Sequence, residues 1–135
     1  LQDISEVDRT GIRIAVYERS AYGLWLSDNI RHAELIMADG LDQSFETFVE
    51  QQLDVLAGLR PRLVDDVQKL PGARLLDGQF TAVQQAIGTR PERVVGAAFL
   101  RDFVEDAKAS GLVADLIEKH GVTDRLTVAP AAPVA

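Results

Sequence analysis

The turn 18–22 (Glu-Arg-Ser-Ala-Tyr) holds the residues of this sequence that are best placed for chemistry. Ser20 directly precedes a segment in which Tyr22, Trp25 and Leu26 recur at helical spacing, so its hydroxyl is expected to cap a helix. The first turn of a helix has backbone N–H groups without intrahelical partners and the positive end of the helix dipole. Those groups can bind a carboxylate or a phosphate. A plain helix cap is the alternative interpretation, and the turn taken alone favours it.

A second candidate group lies at the end of the short apolar run 54–59. Ligands of open α/β sheets bind at the carboxyl ends of the strands. Because Ser20 also follows a predicted strand, 11–17, both groups are expected to face one hollow. The predicted ligand-binding residues are Glu18, Arg19, Ser20, Ala21, Tyr22, Gly58, Leu59 and Arg60.

Other kinds of chemistry find little support in the sequence. It has no Cys and two His, and His32 and His120 lie far apart without carboxylates at metal-ligand spacing. No Ser-His-acid triad and no glycine-rich phosphate loop can be recognised. Asp65 and Asp66 are adjacent on a predicted helix, so their carboxylates diverge, and we expect them on a solvated face. The sequence therefore predicts no metal, no cofactor and no enzymatic activity.

Strands and helices alternate along the first half of the chain, which is typical of a parallel sheet covered on both faces. The predicted fold class is α/β, a three-layer sandwich with a mostly parallel sheet of about five strands flanked by helices. Predicted strands are 11–17, 34–38, 54–59 and 73–77, with another extended run at 80–87, and predicted helices follow Ser20, start near Leu41 and Pro61, span 91–110 and start again at Leu112.

Composition limits the partners that this chain can have. Its 135 residues include 21 acidic and 14 basic side chains, a formal net charge of -7, and no cluster of Lys and Arg. A positive stripe is what nucleic acid and anionic membranes need. Neither is therefore an expected partner.

Four segments of the sequence resemble bacterial family 3 extracellular solute-binding proteins of ABC importers. VDRTGIRIAVYERSAYGLWL (7–26) resembles the strand, turn and helix that open the family's second lobe. MADGLDQSFETFVEQQLDVLAG (37–58) is similar to its next helix and strand, and LLDGQFTAVQQAIGTRPERV (75–94) to the strand that returns between the lobes. LRDFVEDAKASGLVADLIEKHGV (100–122) resembles the closing helices and is the most specific match.

The resemblance implies a type II periplasmic-binding fold in which a small solute binds between two lobes. It divides the chain into a second lobe (1–79), a returning strand with closing helices (80–121) and an Ala/Pro-rich tail (122–135), and it implies that a first lobe precedes Leu1. The expected partners are a small organic solute and the importer's membrane permease. The expected location is periplasmic or extracytoplasmic, with a lipid anchor possible in the full-length protein.

The resemblance also places the ligand contacts. The family's ligand turn falls on Arg19, Ser20 and Ala21, and the acid that holds an α-ammonium group falls near Leu59. This sequence departs from the pattern, because Leu59 and Arg60 replace that acid. An apolar side chain cannot balance a buried ammonium group. An anion or a less charged solute is therefore expected rather than a standard amino acid.

Three further expectations stay open at this point. The same lobe could serve as the input domain of a sensor, or as a dehydratase-like enzyme acting on a cyclic acid, with Glu18 as the candidate catalytic acid. We also expect self-association as a homodimer, because a lobe without its partner exposes apolar surface.

Overall fold

A parallel sheet of three strands, in the order β2-β1-β3, organises the first half of the chain. The computed structural model describes residues 1–133, which fall into two compact units, Leu1–Val83 and a second that starts at Gln84. The first unit contains β1 (Arg13–Tyr17), α1 (Ala21–Asn29), β2 (Glu34–Ala38), α2 (Leu41–Glu50), β3 (Val55–Leu56) and α3 (Arg60–Val67). The second contains α4 (Val94–Ala109) and α5 (Leu112–Lys119).

The central strand β1 carries the core of the first unit. Ile14, Ala15 and Val16 are all buried, so both faces of the strand are covered, as is usual in a parallel sheet. β1 pairs with β2 along its whole length and with β3 at two residues. The predicted α/β class with a parallel sheet is therefore confirmed. The core cluster comprises Val7, Ile14, Val16, Tyr22, Leu26 and Ala57.

The prediction of about five strands is wrong, because the described residues form three. The segment 73–77 makes a single bridge, between Asp77 and Asp3, and 80–87 contains no strand. The ring of Phe80 instead packs on Trp25, with 5.3 Å between the ring centroids. Of the run 80–87, only Phe80 and Thr81 are partly buried, and the other side chains are exposed. The residue pattern alone does not distinguish such a segment from a strand.

The second unit is a pair of helices separated by Gly111. This residue has a φ of 86°, a left-handed conformation that favours glycine, and it lies where the sequence predicted a helix break. Phe99 and Phe103 stack on one face of α4 with their ring centroids 6.4 Å apart. The irregular segment after α5 is bonded back to α4, since Lys108 Nζ donates to the carbonyl of Pro130 at 2.9 Å. Residues 134–135 of the predicted tail lie outside the described residues.

The carboxylate of Asp8 fixes the loop that leads into β2. It accepts hydrogen bonds from the backbone amides of Arg31, His32 and Ala33, at 2.7 to 3.1 Å. Hydrogen bonds from the amides of Ala33 and His32 lower the pKa of Asp8, and partial desolvation opposes them. The ionised carboxylate is therefore the form that the fold stabilises.

We predict that Asp8→Asn lowers the urea midpoint of unfolding and makes that midpoint less dependent on pH in the acid range. A lowered pKa contributes stability that is present above the unfolded value of about 3.9 and is lost as the pH falls through the folded value. The urea midpoint of the wild type should thus decrease when the pH is lowered below about 4, and the midpoint of the variant should decrease less. Urea titrations followed by circular dichroism at several pH values measure this, with Asp28→Asn on the exposed surface of α1 as control. Equal acid dependence in wild type and Asp8→Asn would contradict the assignment.

Candidate functional site

The junction between β1 and α1 is a tight turn with Ser20 at its centre. The Ser20 hydroxyl accepts from the Gly23 amide at 2.9 Å and donates to the Tyr17 carbonyl at 2.6 Å. The predicted helix cap is confirmed. The amides of Ala21 and Tyr22, the first two of α1, make no hydrogen bond within residues 1–133. Unpaired amides at a helix N-terminus are suited to an anionic or polar oxygen.

The end of β3 lies beside this turn, at the same edge of the sheet. The amide of Ala57 donates to the Ala15 carbonyl at 2.9 Å, which holds the two strands in register. Tyr22 and Gly58, one from each predicted group, line the same hollow. The two segments that the sequence singled out thus meet at the carboxyl edge, where α1 and α3 both begin.

The remaining predicted residues occupy different places at this edge. Glu18, Arg19 and Ala21 are exposed, and none of them lines the hollow. Leu59 and Arg60 are also exposed and form the start of α3. These five residues therefore lie at the same edge of the sheet as the hollow but outside its wall, whereas Tyr22 and Gly58 form part of that wall.

The hollow has a volume of about 10 Å³, which is room for one oxygen-sized group. Sequence reasoning missed much of its wall, because this part comes from helices whose packing the sequence does not reveal. The spacing of Arg62, Asp66 and Lys69 is the signal that could have revealed an ion-pair network in and just after α3. The lining residues are Tyr22, Leu41, Ser44, Leu56, Ala57, Gly58, Arg62, Leu63 and Asp66.

Asp66 is buried, which corrects its predicted position on a solvated helix face. It is 3% exposed, and its two oxygens accept from Arg62 Nε at 2.7 Å and from Lys69 Nζ at 2.9 Å. Arg62 also pairs with Asp42 of α2 through Nη2 at 2.8 Å. Burial by itself would raise the pKa of Asp66, but hydrogen bonds from Lys69 and Arg62 outweigh it and hold the pKa below its usual range. The ion pairs thus connect α3 to α2 beside the hollow.

The Tyr22 hydroxyl differs from the other polar groups of the wall. Tyr22 is 4% exposed, and its hydroxyl is buried without a hydrogen-bond partner. Burial raises the pKa of Tyr22, and the nearby Ser20 hydroxyl and the charge of Arg62 act in the opposite direction. The Ser20 hydroxyl lies near enough to affect the pKa of Tyr22, but the two hydroxyls form no hydrogen bond.

Comparisons with known proteins identify no relative of this chain. No family model, no curated protein and no solved structure gives a significant match to the chain. Among the helices of residues 1–133, none is long and apolar enough to cross a membrane.

Proposed function

We propose that this chain is a lobe of a small-solute-binding protein that serves an ABC importer. The solute binds at the carboxyl edge of the sheet, between the head of α1 and the end of β3, and a second lobe closes over it. The observation that carries the proposal is the meeting of Tyr22 and Gly58 at one hollow, beside amides of α1 that lack partners in the described chain.

The charges at this edge support an anionic or weakly charged solute. Arg19 and Arg60 are exposed there. Arg19 forms an ion pair with Asp39 at 3.9 Å, and both side chains of this pair are largely exposed. Exposed pairs of this kind contribute little and are readily exchanged for another anion. Leu59 offers no negative charge to an ammonium group. Arg19 and Arg60 are thus available to pair with a carboxylate at this edge.

The enzymatic alternative has no observation in its favour. Its candidate acid, Glu18, is exposed and does not line the hollow. A sensor input domain would use the same binding edge, so it differs from the importer component in its partner and not in its site.

We predict that the chain binds organic acids and that Ser20→Ala weakens this binding about fivefold. Loss of the cap frees the Gly23 amide and frays the head of α1, which typically costs about 1 kcal/mol. Isothermal titration calorimetry with dicarboxylic acids, amino acids and amines measures the affinities.

Ser27→Ala is the matched control for this experiment. The Ser27 hydroxyl donates to the Gly23 carbonyl at 3.0 Å. Ser27 lies about two turns beyond the cap, so the substitution removes a hydroxyl of α1 that is away from the binding edge. Affinity should be unchanged in this variant. Absence of binding heat with every class of solute would contradict the proposed function.

A further inference from the structure

Among the side chains of residues 1–133, the Tyr22 hydroxyl stands out because it is buried and unpaired. Buried polar groups in folded proteins nearly always have a partner, and leaving one unpaired destabilises the fold. Phenylalanine would fill almost the same volume without that cost. The stability of this fold therefore does not explain why a hydroxyl stands at this position.

The wall of the hollow has donor capacity that the fold does not use. The Asp66 oxygens accept from Arg62 and Lys69, and the Ser44 hydroxyl donates to the Leu41 carbonyl at 2.8 Å. Arg62 uses Nε and Nη2 for Asp66 and Asp42, which leaves further N–H groups of its guanidinium without a bond in the described chain. The Tyr22 hydroxyl can donate as well.

These donors favour an accepting oxygen over an ammonium group. An ammonium group has no acceptor capacity and so could pair with neither donor. The volume of about 10 Å³ is room for one oxygen-sized group. The side chain of Arg62 is 28% exposed, so this part of the wall borders solvent and can shift to admit a group.

We propose that the hollow is a subsite for one carboxylate oxygen of the solute, with the Tyr22 hydroxyl and the Arg62 guanidinium as its donors. This inference rests on the proposed function, because it concerns the same edge of the sheet. It goes further in assigning a carboxylic acid as the solute class and Tyr22 as the residue that selects it.

Sodium acetate is the probe that tests the subsite, with sodium chloride at equal ionic strength as the reference. In amide NMR spectra of the full chain, acetate should shift the signals of Gly58 and Leu63, which line the hollow. Tyr22→Phe should weaken this response about tenfold, as expected for loss of a hydrogen bond to a charged group. Its urea midpoint should equal or exceed that of the wild type. Tyr17→Phe is the matched control, because it removes the other tyrosine hydroxyl of the chain and Tyr17 does not line the hollow. The acetate response of this variant should be unchanged.

Two results would overturn the subsite. One is a Tyr22→Phe variant that is less stable than the wild type and responds to acetate as the wild type does, because the hydroxyl would then be structural. The other is an acetate response at Ala21 and Gly23 without one at Gly58 and Leu63. That second result would leave the proposed function standing, whereas failure of every organic acid to bind would remove both.

Discussion

Alanine at position 23 is expected to destabilise the unit Leu1–Val83 by about 2–3 kcal/mol, although alanine is normally the better helix former. A Cβ added to Gly23 would collide with the Tyr17 carbonyl oxygen and lie 2.9 Å from Ser20 Oγ. The first contact is with backbone, so it can be relieved only by moving the end of β1 or the head of α1. Urea unfolding followed by circular dichroism measures the change.

Gly96→Ala is the matched control, since Gly96 also lies within a helix, α4. A Cβ there meets only the Arg93 Cβ, at an ordinary 3.6 Å. Helix propensity should then dominate, and the variant should be more stable by about 0.5–1 kcal/mol. If Gly23→Ala were also stabilising, the close approach of α1 to the end of β1 would not be required by the fold.

The same turn indicates why much of the first unit could be predicted from sequence. Ser20 before a helical apolar pattern predicted a cap, and the observed bond from the Gly23 amide is the bond that such a cap makes. Strand β2 was predicted at 34–38 and is observed at Glu34–Ala38. The cap bond joins residues three positions apart, so local pattern suffices for it, and the local pattern also located β2 although that strand pairs with β1.

Elements that depend on distant partners were predicted less well. A strand needs a neighbour at the right spacing, and Phe80 finds the ring of Trp25 instead, so the extended run 80–87 forms no strand. For the same reason the burial of Asp66 was missed. Its cations Arg62 and Lys69 are near in sequence, but the cover that buries it depends on tertiary packing.

The candidate site combines both kinds of feature. Convergence of Ser20 and Gly58 at one edge follows from the topology of parallel strands, which sequence rhythm can predict. The wall contributed by Ser44 and Arg62 depends on how α2 and α3 pack, and no pattern in the sequence specifies that packing. The unpaired Tyr22 hydroxyl is likewise visible only in the folded chain.

Asp66→Asn is expected to destabilise the first unit by about 2 kcal/mol. The substitution keeps the shape of the side chain but removes the charge that Arg62 and Lys69 both contact, at 2.7 and 2.9 Å. Because Asp66 is 3% exposed, water cannot replace these partners without opening α3. The pKa of Asp66 is lowered, so the stability that it contributes is present at neutral pH and is lost as the pH falls below about 4.

Asp42→Asn separates the buried contact from the exposed one in the same ion-pair network. Asp42 contacts Arg62 at 2.8 Å, but its side chain is 83% exposed, and exposed pairs contribute about 0–1 kcal/mol. At pH 7 the urea midpoint of Asp66→Asn should therefore lie well below that of Asp42→Asn. In acid, where the wild-type carboxylates are protonated, the two midpoints should approach each other. Equal midpoints at pH 7 would mean that Asp66 is solvated in solution, and its ion pairs with Arg62 and Lys69 would then not stabilise the wall of the hollow.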